Sequence, residues 1–366
     1  MSGSTYGQIF KISTWGESHG KGIGVVIDGC PAGLGISEDM IQVYLDRRKP
    51  GQSRFATPRK EADKIQILSG VFEGKTTGTP ISMAVFNEDQ RSHDYSDIAT
   101  YYRPGHADYT FDQKYGFRDY RGGGRSSGRE TTGRVAAGAI AASILGELGI
   151  AVQAYTKSIG PISIQDEDIN TDAAKENPLC MANLVAAKKA EEYLELQMDK
   201  KDSTGGVIEC IVKGVPAGIG EPVFDKLDAA LAKAIMSIGA VKGVEIGDGF
   251  LVANRSGSDN NDQFYYDEKG NLRKKSNHGG GILGGISDGS SIILRVAVKP
   301  TSSIARKQYT VNKQKENIQI EIPGRHDPII VPRAVVVVES MVAITLVDYL
   351  LMGMTSRLDK IKEFYK

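Results

Sequence analysis

Two short apolar runs in the chain each lead through the same glycine-rich turn into an amphipathic helix. Val25-Val26-Ile27 precedes Gly29-Cys-Pro-Ala-Gly-Leu-Gly35, and Cys210-Ile211-Val212 precedes Gly214-Val-Pro-Ala-Gly-Ile-Gly220. After the first turn, Ser37 reads as a helix N-cap with Glu38 and Asp39 where the helix dipole favours acids. Ile41, Tyr44 and Leu45 then fall on one face before Pro50-Gly51 stops the helix. After the second, DKLDAALAKAIMSIG (225–239) has a helical pattern. The copies lie 185 positions apart, an internal duplication too short in number for a solenoid. They predict an α+β (α/β) chain, a single domain over 1–366 made of two related halves, with the repeated unit near 25–48 and 210–238.

Other elements follow from the same patterning. An Ala/Gly-rich run from Val135 predicts a helix that Ser127-x-x-Glu130 would open as a capping box. Leu184–Lys201 predicts a charged, largely solvated helix, and residues 291–300 (SIILRVAVKP) a strand. The polar stretch Asn254–Asn277 reads as a mobile loop. Ala334–Val338, mostly β-branched, reads as a buried strand, and Ser340 onward as a long apolar helix with a charged end from Arg357. Val135–Val152 is interrupted and Met341–Met354 is too short to span a bilayer.

Composition narrows the class. A chain of 366 residues, 40% apolar and 25% charged, can bury a substantial core. Lys and Arg total 45 against 45 Asp and Glu, and this zero net charge argues against a general nucleic-acid binder. Cys30, Cys180 and Cys210 are far apart in no metal-ligand spacing and read as thiols of a reducing compartment. The N-terminus carries no basic-then-apolar signal. A cytoplasmic protein without a metal, membrane or nucleic-acid partner is expected.

Charge is nevertheless concentrated in one place. Arg103–Arg134 (RPGHADYTFDQKYGFRDYRGGGRSSGRETTGR) holds six arginines, Lys114 and His106. Gly122-Gly123-Gly124 lets the backbone approach a ligand, and Arg125, Ser126 and Ser127 fall where the glycine loop turns into a helix. Unpaired N–H groups at such a terminus attract anions, and flanking arginines add charge-assisted bonds. An ordinary capped helix, or a lone RNA-binding RGG element, fits the spacing too.

Thr14-Trp-Gly-Glu-Ser-His-Gly20 carries His19 in a loop, open to proton transfer or to simple solvation. Its glycines precede a strand, which excludes the strand–loop–helix order of a dinucleotide fold. RRKPGQSRFATPRK (47–60) has six basic residues and no acid, so Arg48 and Arg54 are either solvated or aimed at phosphate or carboxylate. Glycines at 279–285 permit close approach to a flat ligand or make tight turns. Lys299 with the hydroxyls of 301–303 suits a phosphate, and in Gly324-Arg-His-Asp-Pro328 the arginine and Asp327 form either an ion pair or a reactive group.

Taken together, these motifs at 14–20, 46–59, 101–142, 237–249, 277–287, 299–304 and 324–328 strongly resemble those of chorismate synthase, in family order along nearly the whole chain. The resemblance implies a 1,4-elimination of phosphate from 5-enolpyruvylshikimate 3-phosphate, dependent on reduced FMN. It implies that His19 protonates the leaving phosphate, His106 steadies the reduced flavin and Asp327 relays a proton. Arg48, Arg54, Arg103 and Arg129, with Arg325, would hold anionic groups of the substrate or of NADPH. FMN would lie on Arg125, Ser126, Ser127, Gly239, Ala240, Gly284, Lys299, Pro300, Thr301, Ser302, Ser303 and Arg325. The implied fold is a β-α-β sandwich, helices inside and sheets outside, assembled as a homotetramer. Clustered arginines repel, so the site without its anion is expected to be partly disordered. Family members differ in whether NADPH or an outside reductant reduces the flavin, and the chain leaves both open. A flavin-storage or flavin-reductase protein and an RNA-binding module are the readings from other classes.

Overall fold

The computed structural model describes residues 3–51, 53–55, 63–87, 97–322 and 327–366. The amino half begins with β1 (Thr5–Tyr6), β2 (Lys11–Gly16), β3 (Gly22–Asp28) and helix α1 (Glu38–Arg48). Strands β4 (Ile65–Ile67), β5 (Val71–Phe72), β6 (Lys75–Thr76) and β7 (Ile81–Phe86) follow, then α2 (Asp108–Tyr115) and α3 (Thr131–Glu147). The carboxyl half starts with β8 (Ala151–Ile159), β9 (Ile162–Ser163), α4 (Leu184–Asp199), β10 (Gly206–Lys213) and α5 (Leu227–Met236). Then come β11 (Val241–Ile246), a short α6 (Gly257–Asn260), and the hairpins β12 (Phe264–Tyr266)–β13 (Leu272–Lys274) and β14 (Ile282–Leu283)–β15 (Ile286–Ser287). Strand β16 (Ile292–Val298) precedes the ribbon β17 (Lys307–Val311)–β18 (Asn317–Glu321), and α7 (Val331–Gly353) and α8 (Leu358–Phe364) end the chain.

Two antiparallel five-stranded sheets result, in the orders β1-β2-β3-β7-β4 and β11-β16-β10-β8-β9. Helix α3 packs on β2, β3 and β7, α7 packs on β8 and β10, and the two helices pack on each other. The helices therefore lie between the sheets. Their approach depends on small residues: a Cβ on Gly138 would sit well inside 3.0 Å of Ser340. The buried face of each sheet alternates apolar residues inward, as in Ile292, Leu294, Val296 and Val298 of β16. Helix α7 has the length and composition of a membrane span, but most of it is buried in this core.

The two glycine turns are held in the same way. Thr76 Oγ1 donates to Pro31 O (2.7 Å) and accepts from Leu34 N (3.0 Å). Ser287 Oγ donates to Pro216 O (2.6 Å) and accepts from Ile219 N (2.9 Å). Strand pairing around them also matches, β2-β3-β7-β4 against β8-β10-β16-β11.

Several local expectations meet the structure directly. Ser37 caps α1 by accepting from Met40 N at 3.2 Å. Ala334–Val338 is not a strand; it forms the first turns of α7 behind Pro332. β-branched residues lose little there because neighbouring helices and a sheet bury them on every side, and packing outweighs their weak strand preference. Asn254–Asn277 is not a structureless loop: it contains α6 and the β12–β13 hairpin. Lys274, almost fully buried, ties the hairpin to Asp288 (2.6 Å) and Asp262 (3.3 Å).

Candidate active site

The N-terminal end of α3 gathers the predicted motifs. Ser127 caps a 3-10 turn (Gly128–Glu130) by accepting from Arg129 N at 3.3 Å, and α3 proper begins at Thr131. The expected capping box does not close. Glu130 reaches forward to Arg134 (3.0 Å), because an ionic partner one turn on is stronger than a bond back to Ser127 N–H.

Around this terminus the arginines are seated on internal carboxyl groups. Asp63, fully buried, bridges Arg48 and Arg129 (2.6 Å to the latter). Burial alone would raise the Asp63 pKa, but the two guanidiniums outweigh it and hold it below the usual carboxylate range. Arg48 also reaches Gly128 O and Thr131 Oγ1, each at 3.4 Å, while its buried Nε has no hydrogen-bond partner among the described residues. Arg103 is clamped bidentately by Asp108, with both bonds at 2.8 Å. Asp63 and Asp108 are two internal anions that offset part of the charge of the clustered arginines. Arg54 goes elsewhere: it pairs with Glu195 (2.6 Å) and Glu191 (3.3 Å) of α4.

His19 is half-buried against the glycine loop. Ser18 Oγ donates to Gly122 O (3.3 Å) and lies 3.2 Å from His19 Nδ1. Since a carbonyl can only accept, the single Ser18 proton is committed to it, and Nδ1 must carry the hydrogen of the second bond. Arg125 is tied to β2 through Thr14 Oγ1 (2.6 Å), Thr14 O and Gly16 O (both 3.2 Å), and Ser126 Oγ donates to Gly123 O at 2.7 Å. These two residues shape the loop from within.

A second cluster surrounds His106. Its Nδ1 faces Pro104 O and its Nε2 faces Ser303 Oγ, both at 2.9 Å. Burial, reinforced by Arg103, draws its pKa below the ordinary histidine value of 6.5. The neutral ring therefore carries its proton on Nδ1 and accepts the Ser303 hydroxyl at Nε2. Lys299 bonds Gly105 O (3.1 Å) and Ser302 Oγ, and its backbone N donates to Ala240 O at 2.9 Å. Burial and Lys242 draw the Lys299 pKa down. Thr301 Oγ1 is buried without a hydrogen-bond partner among the described residues. Gly239–Ala240, Lys299 and Pro300–Ser303 are thus brought together with His106. Gly284 lies in the β14–β15 turn, where the neighbouring Gly285 O accepts from Leu227 N at the start of α5 (2.9 Å).

Backbone and side-chain bonds join the two clusters. Ser203 Oγ donates to Thr301 O (2.7 Å) and Thr204 N to Pro328 O (2.9 Å). Next to Pro328, Asp327 accepts from Arg333 NH1 at 3.0 Å, and Arg333 Nε donates to Arg48 O at 3.0 Å. Arg325 lies outside the described residues, as do parts of the basic loop 47–60. Sequence reasoning passed over Asp63, Asp108, Asn87 and Arg333. Only Asp108 had a signal, two residues beyond His106 in the motif itself.

The lowered His106 pKa gives a pH dependence of defined sign. Below 6.5 the unfolded chain binds a proton that the folded chain refuses, so stability falls as pH drops from 6.5 toward the folded-state pKa. Urea midpoints measured at pH 7.5 and 5.5 should decline in the parent protein and decline less in His106→Gln.

A helix terminus beside the His19 loop, with Arg48 and Arg129 anchored on a buried aspartate, has the chemistry of an enzyme class that takes a small anionic substrate and moves protons next to it. Comparison with known proteins makes the class specific. The chorismate synthase family profile matches residues 10–351. The chorismate synthase of Lachnoclostridium phytofermentans is 69% identical over 366 residues, covering 100% of both chains. That of Methanosarcina mazei is 55% identical over 355 residues, covering 96% of this chain and 97% of its own. A crystal structure of a chorismate synthase superposes with a TM-score of 0.77 at 32% identity, covering 98% of this chain and 97% of that one. The chain belongs to the chorismate synthase family. It has a mixed α+β fold and works as a phosphate-eliminating lyase of the shikimate route to aromatic amino acids.

Proposed function

We propose that the α3 terminus holds 5-enolpyruvylshikimate 3-phosphate for 1,4-elimination to chorismate, with Arg48, Arg103 and Arg129 gripping its phosphate and carboxylates. The observation that carries this reading is the pair of arginines on Asp63 beside the His19 loop. One carboxyl group shared by two guanidiniums leaves net positive charge directed at a ligand. His19, with Nδ1 engaged by Ser18, gives up the Nε2 proton to the departing phosphate as a general acid. Asp327, oriented by Arg333, would relay a proton beside the flavin.

The His106 cluster fits reduced FMN. Lys299, the hydroxyls of Ser302 and Ser303, and the unpartnered Thr301 Oγ1 suit an anionic group, and Gly239–Ala240 and Pro300 complete the wall with Arg125–Ser127 as support. Held by Lys299 and the hydroxyls of Ser302 and Ser303, reduced FMN would supply electron density to ease the departure of phosphate. His106, fixed between Pro104 O and Ser303 Oγ, would steady negative charge there. NADPH as reductant, with Arg54 and Arg325 on its anionic groups, a cytoplasmic location and the placing of Gly284 on the flavin belong to the same reading. So do a β-α-β sandwich descended from one duplicated unit, and a homotetramer. Exposed Phe250, Phe264, Tyr266 and Leu272 supply apolar surface for that assembly.

The test is anaerobic: protein, chemically reduced FMN and substrate, with chorismate absorbance followed. His19→Ala should lower kcat by about 10²–10⁴-fold, the range of general-acid contributions, while FMN still binds. No chorismate from the parent protein with reduced FMN bound would overturn the reading in favour of a flavin-binding relative.

A further inference from the structure

Asn87 immediately follows β7 and is partly buried between the His19 loop and Arg129. Its Nδ2 lies 2.7 Å from Gly20 O, 3.3 Å from Glu17 O and 3.4 Å from Ser18 O. Its Oδ1 accepts from Arg129 Nε at 2.9 Å. The amide orientation is unambiguous, because three carbonyls can only accept and a guanidinium N–H can only donate. Two amide hydrogens shared among three carbonyls draw the Glu17–Gly20 loop into a tight turn around His19. Backbone N–H of Asn87 donates to Lys21 O at 3.1 Å and ties the far end of the same loop to β7. On the other side, Arg129 passes the connection to Asp63 and so to Arg48.

We propose that Asn87 is a positioning residue for the elimination. It locks the loop carrying the acid His19 in register with Arg129, so that the proton donor and the anion-gripping guanidinium face the substrate at a fixed separation. An amide is needed for this. Serine cannot reach both partners, and a carboxylate would keep Arg129 but set an oxygen against three carbonyl oxygens. The inference rests on His19 acting as the acid, and a double-mutant cycle separates the two ideas.

Asn87→Asp, His19→Ala and the double variant are compared by kcat and KM in the anaerobic assay, with FMN binding and melting temperature confirming the fold. Asn87→Asp should lower kcat by about 10–100-fold, a displaced general acid, with KM changed less than about threefold because Arg129 remains held. In the His19→Ala background the same change should cost no more than about twofold, since there is no acid left to misplace. An equal loss in both backgrounds, or a fall confined to KM, would overturn the positioning role and leave Asn87 as scaffolding. A full-rate His19→Ala enzyme would instead remove the acid from His19, and this role of Asn87 with it. If Asn87→Asp does not fold, Asn87→Ser, which drops both sets of contacts, runs through the same cycle.

Discussion

Gly122→Ala is expected to cut kcat by about 10²–10³-fold while the protein still folds. Gly122 has a φ of +63°, a conformation that costs an L-residue about 1–2 kcal/mol. More decisively, an added Cβ would fall well inside 3.0 Å of His19 Cε1 and Nδ1 and against Ser18 Oγ. The imidazole has to give way, and the Ser18 bonds that orient it go with it. A general acid displaced by 1 Å loses most of its contribution, which sets the scale of the effect. Gly146→Ala is the matched control: the site is helical and exposed, with nothing within 4 Å of the new Cβ. It should raise stability by roughly 0.5–1 kcal/mol and leave kcat unchanged. Steady-state rates and urea midpoints for the two variants distinguish a ring displaced in place from general loss of structure. A Gly122→Ala enzyme at full rate would show that His19 does not act from its position here.

Asp348→Ala should be the most destabilising of the substitutions considered. Asp348 is buried on α7 and accepts from three consecutive backbone N–H groups, Gln8 (2.9 and 3.1 Å), Ile9 (2.7 Å) and Phe10 (2.9 Å). Phe10 is wholly buried, and its neighbour Tyr6 reaches Thr345 on the same helix at 2.9 Å. Alanine leaves all three donors without their partner, each at a cost of about 1–3 kcal/mol, less what water can recover at the half-exposed Ile9. A loss of about 3–5 kcal/mol is expected, read as a melting temperature lower by roughly 5–10 °C. Because β1 and β2 flank this turn, the same variant should expose the edge of the first sheet to hydrogen exchange before the second. Uniform exchange across both sheets would show that the clamp is not local.

Much of this molecule is written in short-range pattern. The cap at Ser37, the α1 face of Ile41 and Leu45, the two glycine turns and the strand at 291–300 depend on neighbours a few residues away, and the sequence alone sufficed for them. The chemical motifs were legible for a related reason: His19, His106, Lys299 and the arginines of 103–134 stand in contiguous runs. Which of the arginines meets the His19 loop was not legible. It depends on Asp63 meeting Arg129 across 66 positions and Asn87 meeting it across 42, distances over which a chain carries no periodic trace. Arg54 shows the converse, since a basic loop residue that looks free in sequence is claimed by acids of a distant helix.

Secondary structure failed where burial was decided by the whole fold. Val335–Val338 has strand composition, yet lies in a helix enclosed by α3 and the second sheet, where a packed helix buries more than a strand could. Asn254–Asn277 is polar enough for a loop, yet Lys274 between two buried aspartates orders it. Local pattern and motif order determined most of the elements, the two matching glycine turns and the family. Tertiary structure decided which charges neutralise one another and which side chains aim the reactive groups, because such pairings are chosen by distance in space.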